Sequence, residues 1–276
     1  MRILIIGKKS FIAQNFIKKY SNRIKFFYFN LYFSDNYKEF LKKISLYVNK
    51  KKINHIINFI GNNDNSLFPI KDKNILRDNF ILPIALVNLF KQKKINFTFF
   101  LSTEIDKIEN SNKNSIYALS KFFLQDSLRF ILIKNNISLI KIDNVYGPYD
   151  LNFNRLIPSL MLKLLFNNKG IKVKLAQQKK LIYVKDLLSV IFKTIKNKKS
   201  FNIIHIKGKN FNILKLWKSI NKILHNKHKR ITQNNDCYNF IETFEWYKDN
   251  LWMIKKKYPI KLKIRRINLA LISKNQ

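Results

Sequence analysis

The chain has 276 residues, enough for one well-buried domain or for a main domain with a smaller second lobe. Its hydrophobic content of 46% and aromatic content of 14% exclude an intrinsically disordered protein. The net charge of +38 comes mainly from lysine, since 54 residues are basic and only eight of these are arginine. The lysines are spread along the chain, whereas nucleic-acid binders gather charge on one face and favour arginine. We therefore expect a solvated basic surface, with nucleic-acid binding as the less favoured alternative.

Cysteine and histidine exclude two kinds of site. Cys237 is the lone cysteine, so an intrachain disulfide is excluded. The histidines (His55, His205, His225 and His228) lack the spacing of zinc ligands, and no metal site is expected. No apolar run approaches the roughly 18 residues of a transmembrane helix, and the apolar N-terminal run is too short for a signal peptide. We therefore expect a soluble cytoplasmic protein without a membrane partner.

Short apolar runs alternate with longer amphipathic stretches over the first half of the chain. This rhythm predicts right-handed crossovers and a parallel sheet with helices on both faces. The runs are continuously apolar, as in strands buried on both faces. In chain order the predicted elements are strand 2–6, helix 11–20, strand 23–29, helix 36–49, strand 55–60, helix 74–93, strand 97–101, helix 115–134 and strand 137–142.

The rhythm changes after Gly147-Pro148. The predicted elements there are helix 156–166, strand 171–175, helix 185–195, strand 201–206 and helix 213–224, before a basic tail at 258–276. The sequence thus predicts an α/β fold, a Rossmann-like doubly wound parallel sheet with a smaller C-terminal mixed α/β lobe. Residues 1–150 would form the domain of the main sheet. Residues 151–276 would form a smaller lobe that is interleaved with the first domain and not independent of it.

The turn after the first strand has the position of a phosphate-binding loop. Gly7 follows the strand directly, and Ser10 and Ala13 stand where a glycine-rich loop has its second and third glycines. Both are small, so a pyrophosphate can still approach the backbone N–H groups at the start of helix 11–20. Taken alone, the pattern also fits a tight turn that binds nothing. The candidate cofactor contacts here are Gly7, Lys9, Ser10, Phe11 and Ile12.

The end of the second strand bears on the type of cofactor. A dinucleotide site normally has an Asp or Glu there to hold the ribose hydroxyls, but the first acid after this strand is Asp35. Asn30 could hydrogen-bond a ribose instead, and Lys9 could lie beside a 2′-phosphate with no acid to repel it. The sequence leaves NAD and NADP open, with NADP at least as well supported.

A proton-transfer pair is predicted within helix 115–134. Tyr117 and Lys121 are four residues apart, hence on one face of the helix and within reach of each other. A neighbouring ammonium favours the phenolate, which can take a proton from a substrate hydroxyl as hydride leaves the carbon, or return one in reduction. Thr103, after the strand 97–101, supplies a hydroxyl to orient the substrate oxygen. Alone, the pair also fits a surface tyrosine packed under a lysine stem.

Further motifs accompany this pair in a fixed order along the chain. The motif segments are 7–13, 58–61, 78–80, 101–103, 117–121, 144–148 and 181–186. With them, roughly residues 1–200 resemble the extended short-chain dehydrogenase/reductase family, in its NAD-dependent epimerase/dehydratase group acting on nucleotide sugars. The resemblance implies an NAD or NADP cofactor, bound by the domain 1–150, and a nucleotide-sugar substrate, bound by the lobe 151–276. The most specific segments are 117–121 and 144–148, the second resembling the family's Asn-x-Tyr-Gly-Pro turn.

The resemblance also implies roles that spacing alone does not assign. Phe59 and Ile60 would contact the cofactor, Asn79 would help to fix the active-site geometry beside it, and Asn144 would bind the substrate's diphosphate. The implied catalytic residues are Thr103, Tyr117 and Lys121, of which Thr103 also contacts the substrate and Lys121 the cofactor. Many members of the family pair through two long helices, which here are 74–93 and 115–134, so a homodimer is implied.

Departures from the family pattern refine the expected chemistry. Glu104 follows Thr103, but Ile105 stands where sugar 4,6-dehydratases have their second acid. Epimerisation through a transient ketone, or reduction of a keto sugar, is therefore favoured over dehydration. Two loop glycines and the ribose acid are also missing. A non-catalytic NAD(P)-binding protein of the same fold is thus one alternative, and a basic nucleic-acid-associated protein is a second.

Overall fold

The computed structural model describes residues 1–29, 37–62, 69–108, 115–131, 136–165, 178–196, 201–225 and 237–257. The predicted strand 171–175 and the basic tail 258–276 lie outside the described residues. The chain forms two compact units, one of Met1–Val145 with Lys180–Asn210 and one of Tyr146–Lys179 with Phe211–Gln276. The domain limits expected from the sequence, 1–150 and 151–276, stay a prediction.

Strands and helices alternate along the first part of the chain. They are β1 (Arg2–Ile6), α1 (Phe11–Tyr20), β2 (Lys25–Tyr28), α2 (Tyr37–Lys50), β3 (His55–Asn58), α3 (Pro69–Leu76), a π-helical turn (Arg77–Ile81), α4 (Leu82–Leu89), β4 (Asn96–Ser102), a 3₁₀ turn (Thr103–Lys107), α5 (Ile116–Phe130) and β5 (Ile137–Ile142). The later elements are β6 (Asn144–Tyr146), α6 (Leu156–Leu165), β7 (Gln178–Tyr183), α7 (Val184–Lys196), β8 (Phe201–Ile206), β9 (Lys209–Asn212), α8 (Ile213–His225), α9 (Tyr238–Asp249) and α10 (Leu251–Lys257).

The main sheet has the order β2-β1-β3-β4-β5-β8 within the described residues, and its paired strands are parallel. The predicted Rossmann-like sheet is confirmed. Two assignments are wrong: the sequence analysis placed the helix 185–195 and the strand 201–206 in the second lobe, but both belong to the first unit, and the strand pairs with β5. The apolar pattern could not reveal this, since an apolar edge strand looks the same in either unit.

Apolar strands and helix faces build the core of the first unit. The side chains of Ile3, Leu4 and Ile5 in β1 are fully buried, as are Ile56 and Ile57 in β3. Because helices cover both faces of a parallel sheet, alternate side chains along each strand find an apolar neighbour on either side. The chain turns outward from β1 to β2 and then crosses back to β3, so the strand order reverses between β1 and β3. Ligands of such sheets bind at this switch point, beyond the carboxyl ends of the strands.

The second unit is built around aromatic packing. The rings of Tyr146 and Phe240 stack with centroids 4.3 Å apart, and the buried Tyr247 hydroxyl donates to the Asp150 carbonyl. A small sheet apart from the main one has the strand order β6-β7-β9, and its strands include residues of the first unit such as Lys180–Tyr183 of β7. Among the described residues, no helix combines the length and apolar composition that crossing a membrane requires.

Candidate active site

The turn after β1 is tight and can hold only a glycine at its first position. Gly7 has φ +82°, a left-handed conformation that favours glycine. A Cβ at Gly7 would lie 2.8 Å from the backbone nitrogen of Ile60 and 3.0 Å from the carbonyl carbon of Phe59. The Phe59 N–H donates to the Ile6 carbonyl at 2.8 Å. The ends of β1 and β3 are thus packed backbone to backbone at the switch point, and a side chain at Gly7 would force them apart.

The start of α1 is fixed by Ser10. Its hydroxyl accepts a hydrogen bond from the Ala13 N–H at 3.2 Å, and its own N–H donates to the Gly7 carbonyl at 3.0 Å. Phe11 is buried and Ile12 half-buried, whereas Lys9 is exposed. Ser10 therefore works as a helix cap as well as a small residue. This ten-residue helix begins at the switch point with its positive end towards the carboxyl edge of the sheet.

Asn79 lies in the π-helical turn and is completely buried. Its amide oxygen accepts from the Asn62 N–H at 3.0 Å, and its amide nitrogen donates to the Asn62 carbonyl at 2.7 Å and to the Ser120 hydroxyl at 3.2 Å. The paired bonds tie the turn after β3 to the π-helical turn, and the third reaches α5. π-Helical turns are rare and occur often at functional sites.

The ammonium of Lys121 is buried at the same place. Its side chain projects from α5, is only 5% exposed, and donates to the Phe100 carbonyl in β4 at 3.0 Å. A Cβ at Gly61 would lie 3.9 Å from the Lys121 Nζ and 3.7 Å from the Asn79 Oδ1. Burial lowers the pKa of Lys121 to about 8, and the nearby Asp78 carboxylate partly opposes the shift. A buried lysine with a strongly shifted pKa is typical of functional sites.

Tyr117 lies in the first turn of α5, one turn before Lys121. Ser115 caps the helix by accepting from the Ala118 N–H at 3.1 Å. The Ser120 hydroxyl donates to the Tyr117 carbonyl at 2.7 Å while it accepts from Asn79. The Tyr117 ring is half-buried. Ser120 belongs to the motif segment 117–121, but the sequence analysis gave it no role. In the structure its hydroxyl connects Asn79 to the helical turn that carries Tyr117.

Thr103 lies at the carboxyl end of β4 and is paired with a residue that the sequence analysis missed. Its hydroxyl donates to the Asp143 carboxylate at 2.6 Å. The neighbouring Ser102 hydroxyl accepts from the Glu104 N–H at 3.2 Å and caps the 3₁₀ turn. The sequence could have predicted the proximity of Asp143 to Thr103. A residue directly after β5 lies at the same edge of the sheet as a residue directly after β4, because the two strands are parallel neighbours.

The other predicted site residues have different surroundings. Asn144 is exposed at the start of β6, and its amide nitrogen donates to the Lys180 carbonyl at 3.4 Å. Asn30 lies outside the described residues. The structure thus places the Lys121 ammonium and the Asn79 amide oxygen beside Gly61, each within 4 Å of where a Cβ of Gly61 would lie. It connects Phe59 to Phe100, the residue whose carbonyl accepts from Lys121, through stacked rings with centroids 5.1 Å apart.

Comparisons with known proteins agree with this architecture. The model of the NAD-dependent epimerase/dehydratase family matches residues 4–213. Curated protein sequences give no match.

Several solved structures share the fold at low sequence identity. UDP-glucose 4-epimerase from Thermotoga maritima with UDP-glucose is 14% identical, with a TM-score of 0.74 over 91% of this chain and 100% of that chain. UDP-N-acetylglucosamine 4-epimerase from Methanobrevibacter ruminantium with UDP-N-acetylmuramic acid is 16% identical, with a TM-score of 0.73 over 90% and 98%. dTDP-glucose 4,6-dehydratase from Bacillus anthracis with NAD is 17% identical, with a TM-score of 0.71 over 91% and 97%.

Proposed function

Because the chain belongs to the NAD-dependent epimerase/dehydratase family, we propose that it is an NAD(P)-dependent enzyme that epimerises a nucleotide sugar or reduces a keto sugar. The observation that carries the proposal is the buried ammonium of Lys121, one helical turn from Tyr117 and next to Gly61 and Asn79. Burying a charge is costly, so a lysine is retained in such a place when its charge serves a purpose.

The residues at the switch point fit a dinucleotide cofactor. Gly7 leaves no side chain between the ends of β1 and β3, and α1 directs its N-terminus to the same edge. The residues that would hold the cofactor are Gly7, Lys9, Ser10, Phe11, Ile12, Asn30, Phe59, Ile60, Asn79 and Lys121. When bound, the cofactor would supply the acceptor or donor of a hydride. The structurally similar dTDP-glucose 4,6-dehydratase was crystallised with NAD, and for this chain the choice between NAD and NADP stays open.

The side chains of the chain would handle the proton. Tyr117 would take the proton of a substrate hydroxyl as the carbon loses hydride, and it would return a proton when the ketone is reduced again. Thr103 would orient the substrate oxygen. Lys121 stays mostly charged at neutral pH because its pKa is about 8. Its positive charge would stabilise the phenolate form of Tyr117 without taking the proton itself.

Two neighbouring side chains favour epimerisation or reduction over dehydration. The Glu104 carboxylate is 44% exposed and forms an ion pair with Lys107 at 2.7 Å, within its own 3₁₀ turn. Ile105 is buried in the core with 7% exposure. Elimination of water needs an acid and a base at the sugar. An isoleucine at position 105 can serve as neither.

We propose a nucleotide diphosphate sugar as the substrate. Two structurally similar 4-epimerases were crystallised with uridine diphosphate sugars. In this chain Asn144 is exposed at the carboxyl edge, directly after Asp143, where its amide could meet a diphosphate. The excess of lysine would add a general attraction for such an anion.

We also propose a homodimer through the two segments that the sequence predicts as helices, 74–93 and 115–134. The supporting observation is an apolar patch, defined here as Ile81, Phe122, Phe123 and Phe130, whose side chains are 37–77% exposed. Its three α5 members follow one face of the helix. The Phe123 ring lies 6.1 Å from that of Phe80 in the π-helical turn. Contiguous exposed apolar side chains of this size often mark an interface.

The test of the activity uses Tyr117→Phe. The purified wild-type protein is incubated with NAD or NADP and with UDP-glucose, UDP-N-acetylglucosamine and dTDP-glucose, and separately with NADH or NADPH and a dTDP-4-keto sugar, and the products are separated by chromatography. We expect an epimer or a reduced sugar from at least one of these substrates and, in the variant, turnover lowered by more than about 100-fold because the group that transfers the proton is lost. Cofactor binding, read by native mass spectrometry, should survive. Tyr37→Phe on α2, 49% exposed, is the matched control.

The result also separates the proposed enzyme from a non-catalytic cofactor-binding protein. The replaced loop glycines motivate that second candidate, since Ser10 uses its hydroxyl to cap α1. It predicts a bound cofactor and no conversion of any of the sugars. Wild-type turnover retained in Tyr117→Phe would contradict the proposed proton transfer.

A further inference from the structure

The Thr103 hydroxyl is held by a carboxylate. It donates to the Asp143 Oδ1 at 2.6 Å, a short charge-assisted hydrogen bond. The register explains why the two meet. Ser102 in β4 is opposite Ile142 in β5, so the next residue of each strand extends beyond the same edge of the sheet. A hydroxyl has one proton to donate, and here the Thr103 hydroxyl donates it in the hydrogen bond to the Asp143 carboxylate.

The second oxygen of the same carboxylate is also held. The Gly208 N–H, between β8 and β9, donates to the Asp143 Oδ2 at 2.8 Å. Gly208 cannot carry a side chain, since a Cβ there would lie 2.7 Å from the Leu181 nitrogen and 2.9 Å from the Lys180 carbonyl carbon. Asp143 is therefore held at both oxygens, at Oδ1 by the Thr103 hydroxyl and at Oδ2 by the backbone that follows β8.

We propose that Asp143 is a positioning residue, which orients the Thr103 hydroxyl for the reaction. The inference rests on the proposed function. With its proton donated to the carboxylate, the Thr103 oxygen presents its lone pairs and can accept a hydrogen bond from a sugar hydroxyl next to the reacting one, whose own proton stays directed at Tyr117. Without Asp143 the Thr103 side chain could rotate or turn its proton towards the substrate, and the sugar would lose its fixed orientation. Small losses of alignment cost large factors in rate.

The two ion pairs nearby do not serve this purpose. Asp106, three residues after Thr103, pairs with Lys141, and its side chain is 52% exposed. Glu104 pairs with Lys107 within the 3₁₀ turn. Neither of these ion pairs involves Thr103. Asp106 is thus a matched control, a carboxylate at the same edge of the sheet that does not hold the hydroxyl.

The test is a double-mutant cycle on steady-state kinetics of the full chain. The variants are Asp143→Ala, Thr103→Val and their combination, together with Asp143→Asn and the control Asp106→Asn. Each is assayed with NAD or NADP and the best wild-type substrate among UDP-glucose, UDP-N-acetylglucosamine and dTDP-glucose. Circular dichroism and thermal melts check that each variant folds. If Asp143→Ala does not fold, Asp143→Leu replaces it in the cycle, since leucine fills a similar volume and cannot accept from Thr103, whereas the amide oxygen of Asp143→Asn still can.

We expect Asp143→Ala to lower kcat by about 10- to 100-fold while KM changes by less than about threefold. Asp143→Asn should recover part of this loss, and Asp106→Asn should match the wild type. In the Thr103→Val background the further change Asp143→Ala should alter kcat by less than about twofold, because the group it positions is gone.

Failure of this inference can be told apart from failure of the proposed function. If the effects of Thr103→Val and Asp143→Ala multiply independently in an active enzyme, Asp143 does not act through Thr103 and the inference is overturned alone. An unchanged kcat in a folded Asp143→Ala protein has the same meaning. A wild-type protein that converts none of the sugars overturns the proposed function, and this inference with it.

Discussion

Lys121 carries its positive charge in a buried site, where a charge is less stable than in water. Its ammonium donates to the Phe100 carbonyl, and burial is the main cause that brings its pKa from 10.5 to about 8. Lowering the pKa of a lysine this far corresponds to a free-energy cost on the order of 3 kcal/mol for the charged form. The folded protein therefore gives up stability at neutral pH to keep this ammonium beside Asn79 and Gly61. Functional sites often trade stability in this way.

We predict that Lys121→Met stabilises the protein while it removes turnover. The apolar side chain avoids the desolvation penalty, so the free energy of unfolding at pH 7 should rise by on the order of 3 kcal/mol. Below pH 8 lysine is charged in both the folded and unfolded chain, and the gain is complete. Between about pH 8 and 10.5 folded wild type loses the proton first, so its stability rises with pH and the gain disappears.

Chemical denaturation at several pH values measures this difference. Lys42→Met, at an exposed position of α2, is the matched control and should change stability by less than about 0.5 kcal/mol. A Lys121→Met protein that is no more stable than wild type at pH 7 would show that the buried ammonium is better compensated than its surroundings indicate.

The helix that carries Asn79 shows what periodicity could not predict. The pattern predicts one helix over 74–93, but the structure has a π-helical turn between two α-helical segments. In α-helical register Pro83 could not donate to the Asn79 carbonyl, and its ring would crowd that carbonyl. The wider turn, in which the Leu82 N–H donates to the Arg77 carbonyl, avoids this conflict. Pro83 was the residue in the sequence that indicated the π-helical turn, and this turn carries the buried Asn79.

Elements built on local apolar runs were predictable, and those defined by pairing were not. The bounds of β1 and α1 were predicted as the structure has them, since both depend on nearby residues. The short strands β6 and β9 carry no apolar pattern of their own and form by pairing with β7. The same limit applies to the candidate site. The sequence pointed to Thr103, Asn79 and Lys121, but their links through Asp143 and Ser120 join distant parts of the chain.

The patch of Ile81, Phe122, Phe123 and Phe130 predicts a dimer that one charge can break. Phe123→Asp places a carboxylate in the middle of an apolar interface, where an unpaired charge costs several kcal/mol. We expect wild type to sediment as a dimer and Phe123→Asp as a monomer in analytical ultracentrifugation. Leu46→Asp on α2, 62% exposed, is the matched control and should leave the dimer intact. A monomeric wild-type protein would remove the proposed interface.

The charge of the whole molecule is the property that bears most on its solution behaviour. With 54 basic and 16 acidic residues, most lysines cannot have an acidic partner. Ion pairs such as Lys43–Glu39 and Lys248–Glu245 join side chains that are 45–60% exposed, and exposed pairs add little stability. The excess positive charge therefore repels itself across the folded surface more than in the expanded unfolded chain.

We predict that salt stabilises this protein. Raising NaCl from about 20 mM to about 300 mM shortens the screening length from roughly 20 Å to roughly 6 Å, which weakens repulsion between exposed lysines. If the relief is on the order of 2 kcal/mol, the melting temperature should rise by about 4–8 °C, measured by differential scanning calorimetry. Sucrose at equal osmolality is the control, since it carries no charge. A melting temperature that stays constant or falls would mean that the lysines do not repel each other, as when an anion already neutralises them. In that case RNA binding with a steep salt dependence would be the property to measure next.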